Sequence, residues 1–195
     1  MFYVPEVFKL PFAAPFWVVF FVAFLREGKV VRGAMEESDA AQDKGTFKAL
    51  MIGSSIATVV AVAVAFVPAL IFPHHAAAVW FGITLIAAGA LLRRMCFAAL
   101  GESFAGVVSV REHQTVIQSG PYRLVRHPSY TAAFLMFIGL GVGLGNGIGL
   151  LLLFVVHCFL YGRRVSVEEA ALLATLGEPY RTYMSRTKRF IPYLI

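Results

Sequence analysis

The sequence predicts an all-α fold, a polytopic helical bundle that spans a membrane, and three observations carry that prediction. Hydrophobic residues make up 59% of the 195-residue chain against 14% charged ones, and mean hydropathy is +0.76, far from the balance of a soluble domain. Apolar runs recur along the chain at lengths near the roughly 20 residues that cross a bilayer as a helix. The basic residues fall in alternate connections, the pattern of an odd number of spans.

Five spans are expected, over Pro11–Leu25, Leu50–Phe72, Ala76–Leu100, Thr131–Gly145 and Gly147–Gly162. The first lacks a basic leader and a small-residue cleavage site, so it reads as an anchor rather than a signal peptide. The second and third are joined by a tight hairpin at Pro73-His74-His75. The first, fourth and fifth are short, which tilting, local thinning or helical extension into the flanks accommodates. The chain reads as one integral-membrane domain over 1–195, with three N-terminal transmembrane helices in 1–100. A loop, two further spans and a C-terminal helix fill 101–195. A separate soluble catalytic domain of roughly 100 residues has no room.

Orientation follows from Lys and Arg, which collect in short cytoplasmic connections. All of the 17 except Lys9 fall in the connection after the first span, at or after the end of the third, and after the fifth. This puts the N-terminus outside and the hydrophilic clusters in the cytoplasm. The net charge of +6 and pI near 9.6 match a face opposite anionic headgroups, and no nucleic-acid reader motif accompanies them. The connection Arg26–Lys48 carries five basic and five acidic residues, nearly self-compensating, and reads as solvated.

Several features have ordinary structural accounts. Cys96 and Cys158 lie in or beside apolar spans without a CxxC pattern, which supports neither a disulfide nor zinc. His74-His75 reads as an outer hairpin at headgroup level, not a metal site. The glycines from Gly139 to Gly149 never spell GxGxxG. Their spacings Gly139/Gly143/Gly147 and Gly141/Gly145/Gly149 fit small-xxx-small helix packing, with a turn at Asn146. His157, alone in its span, reads as a hydrogen-bonded core residue.

Two hydrophilic islands remain, one on each side of the last pair of spans. In Arg126-His127-Pro128, the Arg suits an interface turn and the Pro suits the first position of a helix. That position leaves N–H groups and a positive dipole end facing the loop, a setting for an anion. Beyond the fifth span, Ser166-x-x-Glu169 spells a capping box, followed by Leu172, Leu173 and Leu176 at helical spacing and a stop at Gly177-Glu178-Pro179. This predicts a C-terminal cytoplasmic amphipathic helix beginning near Val165, with Glu168 in its first turn. A competing reading continues the fifth span without a break, which places Arg164 and Glu168, four apart, on one face. The two readings make opposite demands on the backbone at Ser166.

Ser119-Gly120-Pro121-Tyr122-(x3)-Arg126-His127-Pro128-Ser129-Tyr130, then Arg164-(x3)-Glu168-Glu169, then Leu176-Gly177-Glu178-(x)-Tyr180-(x2)-Tyr183 and Arg189-Phe190-Ile191-Pro192 together resemble the isoprenylcysteine carboxyl methyltransferase family. The resemblance covers about residues 110–195. Ala132 stands where these proteins often carry Gly. It implies an integral-membrane methyltransferase that uses S-adenosylmethionine, releases S-adenosylhomocysteine, and holds the cofactor between C-terminal helices and loops. Carried over by position, His113, Gly120, Pro121, Tyr122, Arg126, His127, Tyr130, Glu169, Tyr180 and Tyr183 are the expected cofactor contacts. Arg164 and Glu168 are the expected catalytic pair nearest the methyl acceptor.

Such a site suits the chemistry. A carboxylate is already ionised at neutral pH, so methyl transfer to it needs no general base. It needs an aimed nucleophile and exclusion of water. Arg164 is expected to grip the acceptor carboxylate in a fork, and Glu168 to orient Arg164 or the cofactor amine. The acceptor is expected to be prenylated or otherwise hydrophobic, its apolar tail in the lipid bilayer. Alternatives within membrane enzymology are phospholipid N-methylation and NADPH-dependent sterol-type reduction. A non-enzymatic scaffold or channel is the alternative of another class, against which no span shows a ring of mid-membrane charges. Oligomeric state is not encoded in any feature of the chain.

Overall fold

The computed structural model describes residues 3–36, 43–101 and 115–192, the backbone alone over 26–36. Six α-helices follow one another: α1 Ala13–Glu36, α2 Thr46–Ala65, α3 His75–Leu100, α4 Pro128–Leu144, α5 Gly147–Leu176 and α6 Glu178–Arg186. Short 3-10 turns precede α1 at Glu6–Phe8 and α4 at Gly120–Arg123. The all-helical expectation holds among the described residues. Helices α2, α3 and α5 are long and apolar enough to cross a membrane, while α4 and Ala13–Leu25 of α1 are shorter apolar helices. Large apolar side chains such as Val59, Phe81, Leu91, Val155 and Phe159 point outward, as lipid-facing residues do.

Helix α1 runs on to Glu36, past the expected end at Leu25 and into the stretch read as a connection, and two other boundaries depart from expectation for a local reason. Helix α2 stops at Ala65 rather than Phe72. The apolar run continues, but Pro68 has no N–H to donate and disfavours helical backbone at the residue before it. Residues 66–74 form the connection instead of a tight hairpin at 73–75. The second departure is at Ser166: α5 runs unbroken from Gly147 to Leu176, and the Ser166 hydroxyl donates to the Gly162 carbonyl at 2.9 Å rather than capping a new helix. The expected amphipathic helix from Val165 is therefore the last third of α5. A serine inside a helix can donate its hydroxyl to the backbone carbonyl of the preceding turn without breaking the ladder. The stop at Gly177 is as expected, with φ +59, and a separate short helix, α6, follows it.

Helix α4 is the centre of the bundle. Gly139 and Gly143 face α3: a Cβ on Gly82 would lie 2.6 Å from the Gly139 carbonyl oxygen, and one on Gly139 would lie 2.8 Å from the Gly82 oxygen. Gly141, two residues away and so on another face, meets the Leu150 backbone of α5. Gly139, Gly143 and Gly141 thus bring two different helices to close range, the small-residue device expected, but Gly145 ends α4 and leaves Gly147 and Gly149 on α5, so neither row runs its full expected length on one helix. At Ala132, where the resemblance expects Gly, the close approach comes from across the interface, since a Cβ on Gly89 would lie 2.7 Å from the Ala132 oxygen. His157 is a core residue, Nδ1 bonded to the Leu153 carbonyl at 2.8 Å and Nε2 to Ser54 Oγ at 3.1 Å.

One end of the bundle is closed around the α4–α5 turn. Gly145, at φ +71, ends α4, and the Asn146 side-chain oxygen caps α5 by accepting from Ile148 and Gly149 N–H at 2.9 and 3.2 Å. Its amide nitrogen donates to Val67 and Ala69 carbonyls at 3.1 and 2.9 Å, in the connection that follows α2. Backbone bonds from Phe72 to Gly145 and from Gly147 to Leu70 complete the seam. The opposite end gathers the start of α2, the end of α3, the start of α4 and the far end of α5.

Candidate active site

At that opposite end the buried stripe of α5, Gly149-Leu153-His157-Tyr161-Val165, continues into Arg164 and Glu169. The same helical face that packs the core one turn at a time therefore delivers charged groups at its end. Helix α4 supplies the facing residues. Pro128 occupies its first turn, where a missing N–H costs nothing, so Arg126 and His127 sit just before the helix and Tyr130 one turn in.

Glu169 is the hub. Its side chain is 5% exposed, and Oε1 accepts from Arg126 Nε at 2.9 Å and lies 3.1 Å from His127 Nε2. Because the carboxylate only accepts, that imidazole nitrogen carries the hydrogen. Oε2 accepts from Arg189 at 3.0 and 2.7 Å through Nε and Nη2. Arg126 also donates to the Met184 carbonyl at 3.0 Å and to the Thr187 carbonyl. The segment after α6 lies along the residues before α4: Arg126 N–H bonds the Lys188 oxygen at 2.8 Å and His127 N–H the Arg189 oxygen at 2.9 Å. Thr131 Oγ1 adds a bond to the Phe190 oxygen at 2.9 Å.

Glu168 and Arg164 are joined through Tyr130. The phenol donates to Glu168 Oε2 at 2.7 Å and accepts from Arg164 Nε at 2.7 Å. Glu168 keeps 30% of its side chain exposed and lies 3.9 Å from His127 Nδ1. Arg164 is buried, donates from Nη1 to Asp43 Oδ1 at 2.8 Å and Thr46 Oγ1 at 3.2 Å, and stands over the Phe47 and Tyr130 rings.

Gly120, Pro121 and Tyr122 form the 3-10 turn, with Gly120 at φ +55, a conformation that suits glycine. Tyr183 ties this turn down by donating to the Tyr122 carbonyl at 2.6 Å. Burial pushes the Tyr183 phenol up to about 12, with Arg126 opposing. Burial also raises Tyr122, with Cys96 and Glu168 adding to the shift, and raises Tyr180, with Glu169 and Glu168 adding. All three phenols stay neutral over the working range of pH. The structure therefore brings Gly120, Pro121, Tyr122, Arg126, His127, Tyr130, Arg164, Glu168, Glu169, Tyr180 and Tyr183 to one end of the bundle. His113 lies outside the described residues.

Sequence reasoning missed Asp43 and Thr46, which reach Arg164 across more than half the chain. It also missed Arg93, whose Nη1 donates to Ser129 Oγ and carbonyl oxygen at 2.8 and 2.7 Å and so fixes the start of α4 from α3. The one sequence signal for Asp43 was Asp-x-x-Thr ahead of an apolar helix, a capping pattern hidden in a connection with five acidic residues.

The model of the isoprenylcysteine carboxyl methyltransferase (ICMT) family matches residues 80–174. Among curated proteins, protein-S-isoprenylcysteine O-methyltransferase B of Arabidopsis thaliana is 28% identical over 58% of this chain and 59% of its own length. Cobalt-zinc-cadmium resistance protein CzcN of Cupriavidus metallidurans is 31% identical over 45% of this chain and 40% of its own. The chain thus spans about three fifths or less of these relatives. The solved structure of the eukaryotic intramembrane Ras methyltransferase ICMT superposes with a TM-score of 0.64 at 26% identity, over 72% of this chain and 52% of that one. The matched segment holds the core of the cluster, from Arg93 through Tyr130 to Arg164 and Glu169, and over residues 80–174 this chain is similar to the isoprenylcysteine carboxyl methyltransferase family.

Proposed function

We propose that this protein transfers the methyl group of S-adenosylmethionine to the carboxylate of a prenylated or otherwise hydrophobic acceptor. The observation that carries the reading is the meeting of two islands far apart in sequence: Tyr130 and His127 of the first contact Glu168 and Glu169 of the second at 2.7 and 3.1 Å.

The residues fit a cationic cofactor. Glu168 is the partly exposed carboxylate of the cluster, it accepts from Tyr130, and its charge is felt by Tyr122 and Tyr180. A carboxylate among neutral aromatic rings suits a sulfonium or ammonium group. We assign Glu168, Tyr122, Tyr130, Tyr180, His127 and the backbone of Gly120–Tyr122 to cofactor binding. S-adenosylmethionine supplies an electrophilic methyl on sulfur and departs as S-adenosylhomocysteine.

Arg126, Glu169 and Tyr183 have their polar atoms engaged within the protein, and in this reading they hold the pocket walls. Arg164 stands at the acceptor end. Its Nε and Nη1 already hold Tyr130 and Asp43, one on each bidentate edge of the guanidinium. A two-bond fork to the acceptor would displace one of them, so we narrow its role to a fixed positive charge that draws the carboxylate in. The acceptor's apolar tail stays in the bilayer, and burial of the cluster excludes water from the transfer.

We also propose five spans, α1 to α5, with the N-terminus outside and the site at the cytoplasmic face. Helix α5 supports this, since its 30 residues measure roughly 45 Å at 1.5 Å per residue, beyond the roughly 30 Å hydrocarbon core.

Thermal denaturation of the detergent-solubilised protein tests the reading. S-adenosylhomocysteine at about 100 times its dissociation constant stabilises a binder by about 2.7 kcal/mol, and NADPH leaves the midpoint unmoved. Stabilisation by NADPH and none by S-adenosylhomocysteine would overturn it. Labelled cofactor with an S-prenylated N-acetylcysteine then yields a base-labile methyl ester.

A further inference from the structure

Asp43 sits where chain connectivity alone gives it no reason to be. Its carboxylate has two kinds of partner. Oδ2 accepts from the Phe47 N–H at 2.8 Å, and Oδ1 takes the Thr46 hydroxyl at 3.1 Å, which together cap the start of α2. Oδ1 also takes Arg164 Nη1 at 2.8 Å, with both side chains 5% exposed. An uncharged Asn or Ser would serve the cap equally well, so capping does not call for a charge here. Net stability does not call for it either, because desolvation of a buried ion pair cancels most of its attraction.

The local backbone adds a second observation. Lys44 and Gly45, immediately after Asp43, both have positive φ, 49° and 71°. For Lys44 the left-handed conformation costs roughly 1–2 kcal/mol, and such conformations persist where surrounding contacts over-determine them. Contacts around it include the Phe47 and Thr46 bonds on one side of Asp43 and Arg164 on the other.

From Asp43 the bonds run on without interruption. Arg164 Nη1 holds Asp43, Arg164 Nε donates to the Tyr130 hydroxyl, and that hydroxyl donates to Glu168 Oε2. Each link uses a different atom, so fixing the first fixes the plane of the guanidinium. The guanidinium in turn sets the direction in which the phenol hydrogen points.

We propose that Asp43 is a positioning residue of the site: its carboxylate anchors Arg164 from the α1–α2 connection and, through the Tyr130 hydroxyl, aims the Glu168 carboxylate at the cationic methyl donor. This rests on the methyltransferase reading given above. It assigns a role to a connection that the charge pattern marks only as solvated, and it makes the N-terminal half of the chain a contributor to cofactor binding.

The test is a double-mutant cycle read by S-adenosylhomocysteine affinity, in which Asp43→Asn keeps an oxygen for the cap while removing the charge. Asp43→Asn weakens binding by about tenfold in the wild-type background and by less than about twofold in Tyr130→Phe, because the relay is already cut there. Thr46→Val, which removes a hydroxyl shared by both side chains and spares the Phe47 cap bond, shows the same background dependence at smaller size. It also keeps the test decisive if Asp43→Asn fails to fold. Equal losses in the two backgrounds for the variants that fold would mean a purely structural cap and would overturn the proposal. Unchanged affinity in both single variants would overturn it as well. A wild-type protein that ignores S-adenosylhomocysteine sinks the methyltransferase reading itself, an outcome distinct from binding with additive variants.

Discussion

The end of the bundle at Asn146 and the end at Glu169 solve the same problem with different chemistry. Both must satisfy backbone groups that helix termini leave over. At the first, a single buried amide does it, accepting from two N–H groups and donating to carbonyls at the end of α2. At the second, Arg126 alone reaches two carbonyls at the end of α6, yet Asp43, His127, Arg164, Glu168, Glu169 and Arg189 are gathered there. One neutral side chain is enough to seal a helix turn. The surplus of charge at the other end is therefore more than a sealing device, which is what the charged ligand proposed for that end requires.

Three variants bear on that contrast, in falling order of expected effect. Glu169→Gln removes the anion shared by Arg126, His127 and Arg189. Breaking a buried pair from one side costs about 3–5 kcal/mol, so the unfolding midpoint should fall steeply and the response to S-adenosylhomocysteine should vanish. A midpoint near that of the wild type would show that the charges at this end are dispensable for assembly. Asn146→Leu removes the cap and the bonds to α2, a loss of about 2–3 kcal/mol. Here the ligand response of the surviving folded protein should be intact, and its disappearance would show that the two ends are not independent.

Tyr183→Phe is the smallest, about 1 kcal/mol from the lost donor to the Tyr122 carbonyl, and it carries a pH signature. The folded phenol titrates near 12, above its ordinary value of 10.0, because burial disfavours the phenolate. A raised folded pKa means that the contribution is complete below pH 10.0 and is lost as pH climbs through about 12. The difference in unfolding midpoint between wild type and Tyr183→Phe should therefore be flat up to that range and shrink above it. A difference that grew with alkalinity would rule out the neutral-donor role.

Local patterns in the sequence were faithful wherever one chemical reason acted alone. Gly139, Gly141 and Gly143 of the glycine rows, the turn at Asn146, the first-turn Pro128 and the stop at Gly177 all stand where spacing puts them. Where two local signals competed, the pattern was ambiguous. Ser166-x-x-Glu169 spells a cap, but in α5 the same four residues lie within a continuous ladder and Glu169 turns to Arg126 instead. In residues 66–72 hydrophobicity argued for more helix and Pro68 argued for an end, and the proline won.

The candidate site was legible from its motifs as a set of residues but not as a set of bonds. That Tyr130 bridges Arg164 and Glu168 depends on the crossing of α4 and α5. That Asp43 reaches Arg164 depends on where α2 begins in space, which no periodicity encodes. Arg93 read as a charge near a span end, and its bond to Ser129 emerges only from the close α3–α4 approach at Gly82 and Gly89.

The docking of Lys188, Arg189 and Phe190 against the residues before α4 carries a consequence for biogenesis. All the bilayer-crossing helices are made before this tail emerges from the ribosome, so insertion does not wait for it. A product released early would be seated in the lipid yet would lack the arginine that completes the hub and the peptide strip that braces Arg126 and His127. The hub is therefore completed by residues translated after the helices it joins, a step later than their membrane integration.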